Sequence, residues 1–164
     1  MKTLYIVRHA KSSWGDFTLP DFERPLNDRG KRDAPVMAKR LLQRNLHVDS
    51  FISSPAKRAL KTCKLFCKEH NFPQEKIIIM DVLYHAPRAT FYEVIEKIDN
   101  RSNSVAIFSH NPGITDFVNS LSPDLRLDNM PTCAVLAVSS DIDNWPDFRT
   151  QSKKILFFDY PKAG

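Results

Sequence analysis

Tyr5-Ile6-Val7-Arg8-His9-Ala10-Lys11-Ser12 is the stretch that decides the fold. Residues 3–8 are mostly β-branched, aromatic and apolar, as in a central strand buried on both faces. That strand stops on a cation and an imidazole. The same event recurs twice further on. A short strand over 48–52 runs into Ser53-Ser54-Pro55, with Arg58 just beyond, and a strand over 104–109 ends in His110-Asn111-Pro112-Gly113. In open α/β sheets, ligands bind at the carboxyl edge of the strands.

The intervening segments set the layers. Residues 11–29 are polar and turn-rich, with two prolines and several aspartates, which reads as a long functional loop. Asn27 or Asp28 then caps a helix ending near residue 45. Ala34, Met37, Ala38, Leu41 and Leu42 form its inward face. Ser54 as cap and Pro55 in the first turn open a second helix, with Leu60, Cys63, Phe66 and Cys67 as its buried stripe. A third strand follows over 76–80. A helix over 90–98 carries Phe91, Val94, Ile95 and Ile98 at helical spacing. After the strand at 104–109 come a helix over 113–121, a loop over 123–131 and two strands over 132–139 and 153–160. No helix separates those last two, so they pair antiparallel. The alternation predicts an α/β fold in three αβα layers, with a mostly parallel sheet and an antiparallel C-terminal strand.

Size and composition bound the function. The 164 residues, 42% of them hydrophobic, predict a single domain over 1–164. No apolar run reaches membrane-span length, so no membrane partner is expected. The N-terminus enters a strand with no leader-like segment, and the three cysteines suit a reducing compartment; the expectation is cytoplasmic. Cys63 and Cys67 have no second pair to complete a zinc site, and the five histidines form no local metal motif. The net charge of +5 is spread along helices, as in Lys31, Arg32, Lys39, Arg40 and Arg44. Such rows are solvated faces, able to steer an anionic substrate. No nucleic-acid module is present in the sequence, so nucleic acid is not an expected partner.

Two arginines and two histidines at one sheet edge match a phosphoryl group in charge and hydrogen-bond geometry. His9 is the candidate nucleophile, provided that one ring nitrogen is neutral and the other gives its proton to a carbonyl. Arg8 and His9 would point to opposite faces of an ideal strand, so they share a ligand only if the chain turns at that point; a salt bridge at the sheet edge is the alternative for Arg8. Arg58 stands at a helix N-terminus, where the dipole favours anions. His110 and the N–H of Asn111 are candidate donors. Lys11 and Ser12 either contact the phosphate or are plain loop residues, and His85 is either a weak acid for the leaving group or a rim histidine. Trp14 and Phe17 either line the mouth or staple the loop down.

With these residues in place, the chain resembles the histidine phosphatase superfamily, also called phosphoglycerate mutase-like. The likeness rests on Arg8-His9, on Ser53-Ser54-Pro55 with Arg58, and on Ser109-His110. Within that superfamily it looks most like the SixA-type phosphohistidine phosphatases, whose loop-to-helix segment Arg24-Pro25-Leu26-Asn27 with Gly30 resembles. The resemblance implies a phosphoglycerate mutase-like fold, a phosphohistidine intermediate on His9, phosphoryl contacts from Arg8, Arg58 and His110, and no metal or cofactor. It implies as substrate a phosphorylated protein, a histidine phosphotransfer domain being one candidate.

Two features depart from the superfamily. Ala10 stands where glycine is usual, so the turn must lie in an ordinary backbone region. The stretch Asp81-Val82-Leu83-Tyr84-His85-Ala86 offers no convincing carboxylate as general acid, which favours an imidazole leaving group over an alkoxide. Two other readings stand beside this one: a phosphatase of small phosphomonoesters or phosphoramidates, and a phosphate-binding module without turnover.

Overall fold

A computed structural model describes residues 1–163. Among them, six strands form one sheet: β1 (Lys2–Arg8), β2 (Ser50–Ser53), β3 (Ile78–Ile79), β4 (Ser104–Ser109), β5 (Val135–Ser140) and β6 (Lys154–Asp159). Their spatial order is β3-β2-β4-β1-β5-β6. The helices are α1 (Asp28–Gln43), α2 (Lys57–Glu69), α3 (Arg88–Glu96) and α4 (Gly113–Asn119).

Alternation along the central strands builds a core on each side. Leu4 and Ile6 of β1, with Val105 and Ile107 of β4, pack into one cluster with Phe91 of α3, Phe117 of α4 and Trp145. Tyr5 and Val7, with Ala106 and Phe108, pack into the other with Ala34 and Met37 of α1 and Cys63 and Phe66 of α2. Both strand faces are apolar because both are covered, which makes the three αβα layers. Each large side chain so buried contributes about 1.5–3 kcal/mol.

β1, β2, β3 and β4 run parallel, while β5 is antiparallel to β1 and to β6. The reversed strand is therefore β5, one in from the edge, and β6 recovers the common direction. β4 inserts between β1 and β2. The helix after β1 lies on one face and the helix after β4 on the other. The carboxyl ends of β1 and β4, paired at Arg8 and Ser109, thus open onto a crevice at the switch in strand order.

Several boundaries differ from the sequence reading. α2 starts at Lys57 with Ala56 at the cap position and no side-chain cap, because the Ser54 hydroxyl is committed elsewhere. The strand expected over 76–80 shrinks to Ile78–Ile79, since Gln74–Lys76 coil into a 3-10 turn. Leu42 is exposed, and the buried face of α1 is Ala34, Met37, Ala38 and Leu41. Asn27 does cap α1, its side chain accepting from the Gly30 N–H at 2.8 Å.

Candidate active site

His9 leaves β1 held at both ends of its peptide. Its N–H donates to the Ser109 carbonyl (3.2 Å), and its carbonyl accepts from the Cys133 N–H (3.0 Å). The next residue, Ala10, donates its N–H to Thr62 Oγ1 (3.0 Å) on α2. Ala10 is not among the residues of positive φ, unlike His85 (φ 59°) and Cys133 (φ 60°). Gly30 makes the next contact: a Cβ there would lie 2.2 Å from the Lys11 carbonyl oxygen. Only glycine lets the backbone after the site strand press against α1.

Around this turn lies a cavity of about 380 Å³. Arg8, His9, Arg58 and His110, brought from three separate stretches, all line it. The rings of His9 and His110 are 5.2 Å apart, centre to centre. His9 Nδ1 lies 2.7 Å from the Ala10 carbonyl. A carbonyl only accepts, so Nδ1 carries the proton. Arg58 Nε donates toward His9 Nε2 at 3.4 Å, so Nε2 is the free lone pair. Burial lowers the His9 pKa to about 3; the bond to Ala10 opposes this, and the charges of Arg58, Arg8 and Arg24 add to it. His110 is lowered to about 2, by burial and then by His9 and Arg58. Both rings are neutral at pH 7.

Two buried nitrogens are left over. Arg8 Nη1 donates to the Met130 carbonyl (2.9 Å), but its buried Nε has no partner among the described residues, and neither has buried His110 Nδ1. Buried donors without acceptors are costly and rare. Here they belong to Arg8 and His110, two residues that line the same cavity.

The remaining sequence candidates also line the cavity, in different capacities. Ser12 is buried, its Oγ accepting from Arg24 Nη1 at 2.7 Å, so it fixes an arginine. The Asn111 side chain donates to Asn129 Oδ1 and to the Met130 carbonyl (3.2 Å), and accepts from Thr115 Oγ1. It braces the wall. Lys11 is exposed at the mouth. His85 is exposed and rests on the Tyr84 ring, with centres 3.9 Å apart. Trp14 covers the Arg24 guanidinium at 3.6 Å, whereas Phe17, 94% exposed, projects into solvent and lines no part of this cavity.

Sequence reasoning missed Asp21, Arg24 and Tyr84. Asp21 reaches Arg58 twice: its carbonyl accepts from Nη1 (2.7 Å) and its Oδ2 from Nη2 (3.0 Å). Tyr84 Oη (2.6 Å) and Arg24 Nε (3.2 Å) donate to the same carboxylate. Burial pushes the Asp21 carboxyl up, but the hydrogen bonds from Tyr84 and Arg58 outweigh it and hold it well below the usual carboxylate range. A carboxylate is therefore present at the mouth, and these contacts favour its ionised form. The available signal was the spacing of Asp21 and Arg24 inside a loop too long to be a mere connection.

Comparison with known proteins bears on the family and the fold. Residues 4–83 match the histidine phosphatase superfamily (branch 1). An uncharacterized chloroplastic protein of Arabidopsis thaliana is 38% identical over 63 residues, which are 38% of this chain and 29% of that protein; the chain thus matches under a third of that relative's length. Among solved structures, the protein histidine phosphatase SixA complexed with tungstate superposes with a TM-score of 0.83 at 20% identity, covering 98% of each chain. SixA from Agrobacterium tumefaciens gives 0.79 at 22% identity, again over 98% of each. At such identities the likeness is one of fold.

Proposed function

We propose that this chain, whose residues 4–83 match the histidine phosphatase superfamily, is a member of it and removes the phosphoryl group from a phosphorylated histidine of another protein. His9 Nε2, unprotonated and facing the cavity cations, attacks phosphorus. The P–N bond to the substrate imidazole breaks, and the leaving ring takes up a proton from solvent. Water then attacks phospho-His9, releasing orthophosphate and restoring the neutral ring. Charge in such transfers is spread over the equatorial oxygens, so positioning and electrostatics carry the catalysis. Arg8, Arg58 and the Nδ1–H of His110 supply the donors. The required positive charge comes from guanidinium groups, and the reading is metal-independent.

One observation carries this reading: a histidine whose Nδ1 proton is fixed on the Ala10 carbonyl lines the same cavity as Arg8, Arg58 and His110, two of which hold a buried nitrogen without a partner among the described residues. The substrate class is supported by Asp21. An alkoxide leaving group needs a proton donor, and the carboxyl at the mouth is held ionised. An imidazole needs less proton assistance, because solvent can protonate its second ring nitrogen near neutral pH.

The test is rapid acid-free quenching during turnover of a histidine-phosphorylated protein, followed by mapping of phosphate on the chain. Phosphate should appear on His9, and His9→Ala should abolish both label and release. Unchanged release by His9→Ala removes His9 from the mechanism. Fast turnover of unactivated alkyl phosphates removes the substrate assignment.

A further inference from the structure

Ser54 has no role in the chemistry above, yet it is fully buried next to it. Its Oγ lies 2.7 Å from His110 Nε2. The same Oγ accepts from the Ala56 N–H at 3.2 Å. A hydroxyl has one hydrogen and two lone pairs. With one lone pair taken by Ala56 and water excluded, the hydrogen needs an acceptor. Among the described residues His110 Nε2 is the acceptor within reach. The backbone around Ser54 is itself pinned: its N–H donates to the Phe108 carbonyl (3.0 Å), and its carbonyl accepts from Ser53 Oγ (2.9 Å). The backbone is thus fixed, and the hydroxyl is held by its own two contacts.

From this we infer that Ser54 is the positioning residue that sets the His110 tautomer, holding Nε2 unprotonated so that Nδ1–H is the donor turned to the phosphoryl group. The inference rests on the proposed function for its purpose, since it gives the His110 donor an oxygen to meet. Its physical content is independent. The hydrogen-bond chain Ala56 N–H to Ser54 Oγ–H to His110 Nε2 runs from the start of α2 to the end of β4. It explains why a serine precedes Pro55 without capping the helix: its hydroxyl is turned to the histidine. It also explains why Nδ1 is the nitrogen left without a partner. A ring in the other tautomer would present a lone pair to an anion and repel it.

The experiment is nitrogen-15 NMR of histidine-labelled protein at neutral pH, in phosphate-free buffer. Wild type should show His110 Nδ1 protonated and Nε2 unprotonated. Ser54→Ala should move the Nε2 signal toward the protonated form, and Ser54→Thr should keep the wild-type pattern. Turnover and inhibition by orthophosphate, the probe anion, should each weaken about fivefold to tenfold in Ser54→Ala, because only rings in the competent tautomer donate, and both should recover in Ser54→Thr. A wild-type spectrum with Nε2 protonated overturns the inference, even if Ser54→Ala fails to fold. So does a Ser54→Ala spectrum unchanged from wild type. If the spectra follow this expectation while His9→Ala turns over normally, the proposed mechanism fails and the tautomer assignment stands.

Discussion

Acidification should loosen this protein through two rings. His9 and His110 are each 5% exposed, and their pKa values are lowered to about 3 and about 2. In the unfolded chain a histidine titrates near 6.5. Between that value and about 3, the unfolded chain binds protons that the folded one refuses, so stability falls as pH falls. Above pH 7 both states hold neutral rings and the contribution is constant. Going from pH 7 to pH 5, each ring removes about 2 kcal/mol, on the order of 4 kcal/mol for the pair. That is a large part of the roughly 5–15 kcal/mol by which a domain is stable. The assay is urea unfolding followed by tryptophan fluorescence, in phosphate-free buffer across that range. Wild type is compared with a His9→Asn, His110→Asn double variant. Wild type should lose about 4 kcal/mol more than the variant. Parallel pH dependence in the two proteins would refute the claim that the fold holds these rings uncharged.

Other perturbations follow from single contacts. Gly30→Ala places a methyl against the Lys11 carbonyl and should cost about 1–3 kcal/mol in urea unfolding, with lowered kcat because Lys11 belongs to the turn after His9. Asp21→Asn removes a negative charge beside the anion site and frees Arg58; orthophosphate should inhibit more tightly, by about threefold given the solvent screening of a part-exposed carboxylate, while kcat falls. Opposite signs for those two changes are the signature to measure by steady-state inhibition. Trp14→Ala strips the cover from the Arg24 guanidinium, a contact worth about 0.5–1 kcal/mol at an exposed position. Limited proteolysis should then cut within residues 13–20 faster, with global unfolding nearly unchanged.

The layers were legible because β1 over 4–7 and β4 over 105–108 are unbroken apolar runs, and only a sheet covered on both sides tolerates that. The strand-end pattern also led to Arg8, His9, Arg58 and His110, which the structure places around one cavity. What could not be read was where a hydroxyl spends its hydrogen. Ser54 looks like a helix cap in sequence, since serine before proline usually is one; three-dimensional proximity to His110 redirects it. The role of Asp21 was hard to read for a related reason. Its partners Arg58 and Tyr84 are 37 and 63 residues away, and no periodicity links a loop to a distant helix. The short β3 failed on local competition, a 3-10 turn at Gln74–Lys76 consuming the residues that a longer strand would have used.

The Met130 carbonyl receives both Arg8 Nη1 and the Asn111 side chain, while its own N–H goes to Thr115 Oγ1. One peptide thus fastens the segment ahead of β5 to the tips of β1 and β4. Lengthening the chain there would disturb the hold on Arg8, so that wall has little room to change. Room for change lies in the ribbon bearing Trp14 and Phe17, whose side chains stand in water. Changes in what this scaffold grasps should therefore be written on one shore of the crevice, leaving the other as fixed ground.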